Sequence, residues 1–154
     1  MAMQWSSQMC DIVIFDRHGQ PVALVEVKSR RDLSEAAARE VASYVLEMAS
    51  GAPPSVRYFL VLTPTRGYLW HVHKEPPRLR APVSFPMEEV VQRYGGLRQT
   101  PGLVHASLAY LVDRWLSDLA LGRDGLSQGV LALLRESGFV DAIAGGEIQL
   151  EVTV

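Results

Sequence analysis

Two short apolar runs bounded by polar residues lie near the start of the chain, at residues 11–16 (DIVIFD) and 21–28 (PVALVEVK). Both runs are rich in β-branched residues, which predicts two strands. Between them, His18-Gly19 combines two residue types that adopt left-handed backbone conformations more readily than most. We therefore predict a β-hairpin that is closed by a two-residue turn at His18-Gly19.

The predicted turn determines which residues face one another across the hairpin. The facing pairs are Phe15 with Val22, Val13 with Leu24, and Asp11 with Glu26. Because side chains alternate between the two faces of a strand, Asp11, Glu26 and Lys28 project from the same side as these apolar residues. Two facing carboxylates about 5 Å apart repel by roughly 3 kcal/mol at an effective dielectric of about 20. We expect a bound divalent cation or a neighbouring ammonium to offset this repulsion.

An amphipathic helix is predicted after the hairpin, with Asp32 as its N-cap and the Pro53-Pro54 pair beyond its end. Its apolar stripe consists of Leu33, Ala37, Val41, Val45 and Met48. Two more strands are predicted at residues 57–63 and 67–73. The first half of the chain therefore has the order strand, strand, helix, strand, strand.

Beyond residue 75 the pattern becomes mainly helical. A proline-rich loop is predicted at residues 76–86, and Gly138 is predicted to end the last long helix in a left-handed conformation. Helices are predicted at residues 87–94, 103–121 and 126–137, and a terminal strand at residues 147–154. We expect these helices to cover the sheet or a partner subunit.

Length and composition predict one domain over residues 1–154, with a core at 1–75 and a helical part at 87–154. No export signal and no apolar run of about 18 residues is visible, so we expect a cytoplasmic protein without a membrane span. The single cysteine, Cys10, agrees with a reducing compartment. A net charge of −2 favours no strong nonspecific binding of nucleic acid, so contact with DNA would depend on a local patch.

Several polar residues have a structural interpretation beside a functional one. Glu26 and Lys28 could be charges that protect an edge strand from aggregation. Lysine is scarce in this chain, however, and a lysine ammonium suits a position beside a metal-bound water better than a guanidinium does. His71 and His73 point the same way on a strand and could bind a metal, but the polar face of that strand is the favoured interpretation.

An acid on one strand followed by E-x-K on the next resembles the PD-(D/E)xK phosphodiesterase superfamily, over residues from about 10 to about 70. The resemblance implies a restriction-endonuclease-like fold of the α/β (α+β) class, with a mixed central sheet flanked by helices and a helical C-terminal part. By position, Asp11 and Glu26 would be the acids that hold Mg²⁺ or Mn²⁺, with the Val27 carbonyl as a further ligand. Lys28 would be the lysine that assists the attacking water.

The resemblance therefore implies a nuclease that acts on DNA. Several branches of the family carry Q-x-x-x-Y on the helix, where this chain has Glu40 and Tyr44, so both are candidates to line the site. Arg30 and Arg31 follow the E-x-K strand, where they either contact phosphates or are solvated charges. The family has a helix and a strand upstream of the hairpin, and the terminal strand is the candidate that completes the sheet instead.

The alternative function is a non-catalytic protein-interaction module that keeps this fold and acts in a homodimer or a larger protein complex. The acidity of residues 75–154, which contain 10 acids against 7 bases, favours this alternative. The presence or absence of a cation between Asp11 and Glu26 would discriminate between the two functions.

Overall fold

The computed structural model describes residues 10–48, 54–74, 77–79, 82–95, 105–123, 125 and 128–151. These residues form an α+β fold in which a mixed sheet carries helices. The strands are β1 (Ile12–Phe15), β2 (Pro21–Val27), β3 (Tyr58–Leu62), β4 (Arg66–Lys74), β5 (Pro77–Leu79), β6 (Val83–Pro86) and β7 (Glu147–Leu150). The helices are α1 (Glu35–Met48), α2 (Glu88–Tyr94), α3 (His105–Ala120), α4 (Gln128–Glu136) and α5 (Phe139–Ile143).

Six strands follow one another across the sheet in the order β5-β4-β3-β2-β1-β7, and β6 pairs separately with β4. Strands β2 and β3 are parallel and are connected through α1, whereas the other pairs are antiparallel. A parallel pair needs such a crossover because its two strands begin at the same edge of the sheet. The carboxyl ends of β2 and β3 consequently lie side by side.

The two faces of the sheet carry separate cores. Helix α1 covers one face, where Ala38, Ala42 and Val45 pack against Leu24 and Phe59 among others. The helices α2 to α5 cover the other face, where Trp115 of α3 is completely buried. The prediction that the C-terminal helices cover the sheet is therefore confirmed.

The predicted elements of the second half are present within the described residues, whereas residues 103–104, 126–127 and 152–154 of their predicted ranges lie outside them. The three predicted helices correspond to α2, α3 and α4, and the terminal strand corresponds to β7, which pairs antiparallel with β1. Gly138 has a φ of 85°, as predicted. The proline-rich segment was wrongly predicted to be only a loop, because it contains β5 and β6, and α5 was not predicted. Both β5 and β6 depend on pairing with β4, which the local pattern does not reveal.

The predicted two-residue turn at His18-Gly19 is wrong. Gly19 alone in this turn has a positive φ, of 79°. Its N–H donates to the Asp16 carbonyl at 2.9 Å, and the Asp16 N–H donates to the Gln20 carbonyl at 2.8 Å. The loop therefore contains three residues, Arg17 to Gly19. The Asp16 carboxylate stabilises it by accepting the N–H groups of His18 and Gln20 at 2.9 and 3.0 Å.

A β-bulge nevertheless gives β1 and β2 the pairing register that was predicted from the two-residue turn. Phe15 pairs with Pro21 rather than with Val22, whereas Ile14 pairs with Ala23 and Val13 pairs with Leu24. Val22 is the extra residue of the bulge, and it packs into the core on the α2–α5 side instead of joining Phe15. The predicted Val13–Leu24 pair is confirmed because one extra loop residue and one extra strand residue offset each other.

The start of α1 also differs from the prediction. Ser34, not Asp32, is the N-cap, because its Oγ accepts the Ala37 N–H at 3.1 Å. Asp32 instead forms an ion pair with Arg30 at 3.5 Å.

Of the predicted apolar stripe, Leu33 and Val45 are buried, and Ala37 and Val41 are partly buried against the same core. Ala38 and Ala42, which were not predicted, are the most deeply buried positions of the helix. The side chain of Met48 lies outside the described residues.

Candidate functional site

Glu26 lies near the carboxyl end of β2 on the face that α1 covers. It pairs with Val61 of β3, and Val61 pairs in turn with Tyr68 of β4. Both neighbours belong to the core beneath α1, so the row places the Glu26 side chain on that face. Glu26 is only 8% exposed, which makes it the one buried charged residue in the described part of the chain. Burying a carboxylate is unfavourable unless a partner or a cation compensates it.

Lys28 supplies part of that compensation. Its Nζ lies 3.4 Å from Glu26 Oε2, and its side chain is 40% exposed, so the ammonium stays in contact with water. The Lys28 N–H donates to the Leu62 carbonyl at 2.9 Å, which continues the β2–β3 pairing beyond the end of β2. The E-x-K segment thus presents a buried carboxylate with a partly solvated ammonium beside it.

Asp11 approaches the same segment from β1, but not directly opposite Glu26 as predicted. Its N–H donates at 3.1 Å to the carbonyl of Val25, the residue already paired with Ile12. Two residues of β1 therefore share one partner, which is the arrangement of a β-bulge. The Asp11 carboxylate reaches past Glu26 along β2 and accepts the Val27 N–H at 2.8 Å.

The Val27 carbonyl points towards Asp11 as well. In an extended strand, the N–H and C=O of one residue point to the same neighbouring strand. Because the Val27 N–H meets the Asp11 carboxylate, the Val27 carbonyl points to the same edge of β2. Glu26 and Val27 are the last two residues of β2, and the Asp11 carboxylate lies at the backbone of the second.

Cys10 and Glu151 are two members of this region that the sequence did not predict. Cys10 is 4% exposed, and burial raises the pKa of its thiol to about 12, with nearby carboxylates adding to the effect. Those carboxylates belong to Glu26, Asp11 and Glu151. Pairing of β7 with β1 brings in Glu151, whose N–H donates to the Asp11 carbonyl at 2.7 Å. The terminal strand was predicted, but its partner strand and register were not, so Glu151 had no signal in the sequence.

The donors at this edge match a hard divalent cation in kind. Mg²⁺ prefers oxygen ligands and is held by one or two carboxylates, with water completing its coordination. Asp11 and Glu26 supply two carboxylates and Val27 a carbonyl. Among residues 10–48, 54–74 and the other described ranges, no group of three or more His, Cys, Asp or Glu side chains is arranged to hold a metal.

The segment between β2 and α1 is held against the β3–β4 turn. Thr65 Oγ1 donates to the Arg31 carbonyl at 2.7 Å, and the Tyr68 hydroxyl donates to the Leu33 carbonyl at 3.1 Å. Arg30 and Arg31 themselves are exposed. The candidate phosphate contacts thus extend into solvent from a backbone that is fixed at two points.

Glu40 and Tyr44 lie on the opposite side of α1 from the residues that contact the sheet. Both are exposed, and Tyr44 has 62% of its surface accessible, whereas Ala38 and Ala42 are completely buried. Their side chains point to solvent. Nothing in the described geometry places them beside Glu26.

His71 has a structural environment. Its Nε2 lies 2.8 Å from the Ser137 carbonyl, and its ring packs against Tyr58 with centroids 5.1 Å apart. The side chain of His73 lies outside the described residues. The contacts of His71 agree with the interpretation of this histidine as a polar position that joins β4 to the end of α4.

An open cavity of about 460 Å³ lies at the other end of the β1–β2 hairpin. It is lined by Phe15, Asp16, Arg17, Gly19, Gly145, Gly146, Glu147 and Gln149. It does not contain the candidate acids. The Asp16 carboxylate on its wall is already engaged by its own turn, so the acid end of the hairpin is the stronger candidate for chemistry.

No helix in the described ranges is long and apolar enough to cross a membrane. The chain matches no protein-family model, and comparisons with curated proteins and with solved structures give no match either. The candidate function consequently depends on the residues at the end of β2 and on their geometry.

Proposed function

We propose that this protein is a metal-dependent phosphodiester hydrolase that acts on DNA, with a restriction-endonuclease-like arrangement of its core. The observation that carries the proposal is the meeting of three groups at the end of β2. Glu26 is buried there beside Lys28, and the Asp11 carboxylate binds the N–H of the residue between them. An edge-protecting pair of charges would not need a buried carboxylate, because such charges act by being solvated.

Asp11, Glu26 and the Val27 carbonyl would hold Mg²⁺ or Mn²⁺. The ion, when bound, would lower the pKa of a coordinated water and stabilise negative charge on the phosphate. The hydrogen bond from the Val27 N–H positions the Asp11 carboxylate, since it fixes one carboxylate oxygen at 2.8 Å from the backbone. The buried position of Glu26 limits the access of bulk water to its carboxylate.

Lys28 would orient the attacking water as an ammonium, or help to deprotonate it as the neutral amine. Its ammonium is near Glu26 Oε2 but is 40% exposed, so it can reach a group that approaches from solvent. A lysine can transfer a proton when its surroundings favour the neutral amine, whereas arginine keeps its proton at any working pH.

The test is cleavage of plasmid and single-stranded DNA with Mg²⁺ or Mn²⁺ by proteins purified in parallel. Wild type is compared with Asp11→Asn, Glu26→Gln and Glu136→Gln, the last being a control at an exposed position of α4. We expect the first two variants to lose cleavage and the control to keep it. Activity that survives in both site variants would indicate a contaminating nuclease and would contradict the proposal.

A non-catalytic interaction module is the second candidate. The acidity of residues 75–154, which contain 10 acids against 7 bases, favours it, because a net negative charge there opposes the approach of DNA. Absence of cleavage in every sample, on DNA and RNA with either metal, would favour this function over the nuclease.

A further inference from the structure

Arg66 stands in the same row of the sheet as Lys28. The β2–β3 register pairs Val27 with Leu62, so the next row places Lys28 beside Thr63. Thr63 in turn faces Arg66, because the Thr63 N–H donates to the Arg66 carbonyl at 2.9 Å. Neighbouring strands lie about 4.8 Å apart, so the backbones of Lys28 and Arg66 stand about 10 Å from each other.

Arg66 also projects from the same face as Lys28. Side chains two residues apart on a strand share a face, and Tyr68 belongs to the core beneath α1. Arg66 precedes Tyr68 by two residues, and Lys28 follows Glu26 by two, so both lie on the α1 face, where the Glu26 side chain is. The sequence alone offered no link between Arg66 and the E-x-K motif, because nearly forty residues separate them.

A second arginine is fixed next to Arg66. The Arg31 carbonyl accepts the hydroxyl of Thr65, the residue directly before Arg66, at 2.7 Å. The segment that carries Arg31 is held again at Leu33 by the Tyr68 hydroxyl. Arg31 and Arg66 are both exposed, and they extend from backbone that is ordered by these contacts. Little conformational entropy would therefore be lost in the backbone when they bind an anion.

Both arginines are available for a ligand. Arg30 forms an ion pair with Asp32, but within the described ranges neither Arg31 nor Arg66 has an ion-pair partner. A guanidinium binds carboxylates and phosphates through two parallel hydrogen bonds, and phosphate is the anion that DNA supplies. The pair lies beyond the row of the candidate acids, at the turn between β3 and β4.

We infer that Arg66, together with Arg31, binds a DNA phosphate that flanks the one at the metal site, so that the strand runs from the end of β2 across the β3–β4 turn. This inference rests on the proposed function and adds the direction of the bound strand and a residue that holds it. Arg66 is a binding residue here, and it takes no part in the chemical step.

The test measures binding of fluorescein-labelled DNA by anisotropy at several salt concentrations. The parent protein carries Glu26→Gln, which blocks cleavage and removes one negative charge from the site. Adding Arg66→Ala is expected to weaken binding about fivefold and to lower the slope of log K against log salt by about one, since one phosphate contact is lost. Arg135→Ala, at an exposed position of α4, is the matched control and should leave both quantities unchanged.

The outcomes separate this inference from the proposed function. If the parent binds DNA and wild type cleaves it, but Arg66→Ala behaves like Arg135→Ala, the inference is overturned and the nuclease remains. Melting curves of both variants would show whether a loss of binding comes from unfolding, and an unfolded Arg66→Ala would be replaced by Arg66→Gln. Failure of the parent to bind DNA, with no cleavage by wild type, overturns the proposed function and this inference with it. Tighter binding of RNA than of DNA overturns the assignment of DNA as the ligand.

Discussion

The two ends of the β1–β2 hairpin each carry an aspartate whose carboxylate accepts backbone N–H groups, yet the two residues differ in what surrounds them. Asp16 is partly exposed at the turn, and its partners, His18 and Gln20, belong to its own hairpin turn. Asp11 reaches across to Val27 at the end of another strand, next to the buried Glu26. The hydrogen bond from a backbone N–H to an aspartate stabilises a turn at one end, and at the other end it holds a carboxylate near a second carboxylate.

The comparison shows how surroundings decide the role of a carboxylate. At the turn, backbone N–H groups stabilise the charge of Asp16 and lower its pKa, first through Gln20. At the other end, burial raises the pKa of the Cys10 thiol, and the nearby carboxylates of Glu26, Asp11 and Glu151 add to the effect. We therefore expect the interactions of Asp16 to stabilise the fold. Without a cation, we expect the carboxylates at the acid end to lower the free energy of unfolding.

The largest expected effect is at the acid end and concerns the chemistry. Lys28→Ala should lower the rate of DNA cleavage by about 10²-fold or more, the scale of losing a positioned proton-transfer group, while the fold stays intact because the lysine is partly exposed. Lys28→Arg should also be poor, since a guanidinium does not deprotonate at working pH. Cleavage rates at saturating Mg²⁺ and melting temperatures of the three proteins test this. Full activity of Lys28→Arg would contradict a role in proton transfer, because it would show that a positive charge at this position is sufficient.

The next effect compares the two aspartates directly. Mn²⁺ should raise the melting temperature of the wild type, because it binds the native state. When its concentration is 100 times the Kd, the gain in unfolding free energy is about 2.7 kcal/mol. Asp11→Asn should abolish most of this gain, and Asp16→Asn should retain it. Thermal unfolding with and without Mn²⁺ measures both. An equal metal-induced shift in the two variants would remove the acid end as the binding site.

A smaller effect should have opposite signs at the two ends in the absence of metal. Glu26→Gln should raise the unfolding free energy, by about 1 kcal/mol, because it removes a buried charge while the partly exposed Lys28 stays solvated. Asp16→Asn should lower the unfolding free energy, because it removes the charge that its turn stabilises. Urea unfolding in EDTA gives both values. Destabilisation by Glu26→Gln would mean that its ion pair with Lys28 outweighs its burial.

The smallest effect is the pH dependence at the turn. The pKa of Asp16 is lowered in the folded state, so its contribution to stability is present above its ordinary value of 3.8 and is lost as pH falls through the folded pKa. The difference in melting temperature between wild type and Asp16→Asn should therefore be largest near neutral pH and should shrink below about pH 4. A difference that stays constant from pH 7 to pH 2 would contradict this assignment.

The hairpin shows how far local pattern could predict this fold. The β-branched runs identified β1 and β2, and the Val13–Leu24 pair was predicted correctly although the turn was not. The turn prediction failed because the Asp16 side chain favours a three-residue loop, and the bulge at Val22 then offset the error. The longer loop and the bulge cancel in the register, so counting the residues between the two strands cannot detect either of them.

The candidate site was predictable only in part. The sequence by itself determined the E-x-K spacing, because side chains two residues apart on a strand share a face, and so Lys28 lies beside Glu26. It also determined the apolar runs and helical stripes that build a sheet covered on both faces. These features depend on backbone periodicity, which is a local property.

Only the tertiary structure decided what surrounds that motif. The partner of β7, the bulge at Asp11 and the contact of Thr65 with the Arg31 carbonyl each join segments that are distant in the chain. They placed Glu151 beside Asp11, and Arg66 in the row of Lys28 two strands across the sheet, whereas Glu40 and Tyr44 came to face solvent. Strand order, and the register between strands that are distant in the chain, arise from the packing of whole elements against one another, and residue spacing along the chain does not encode them.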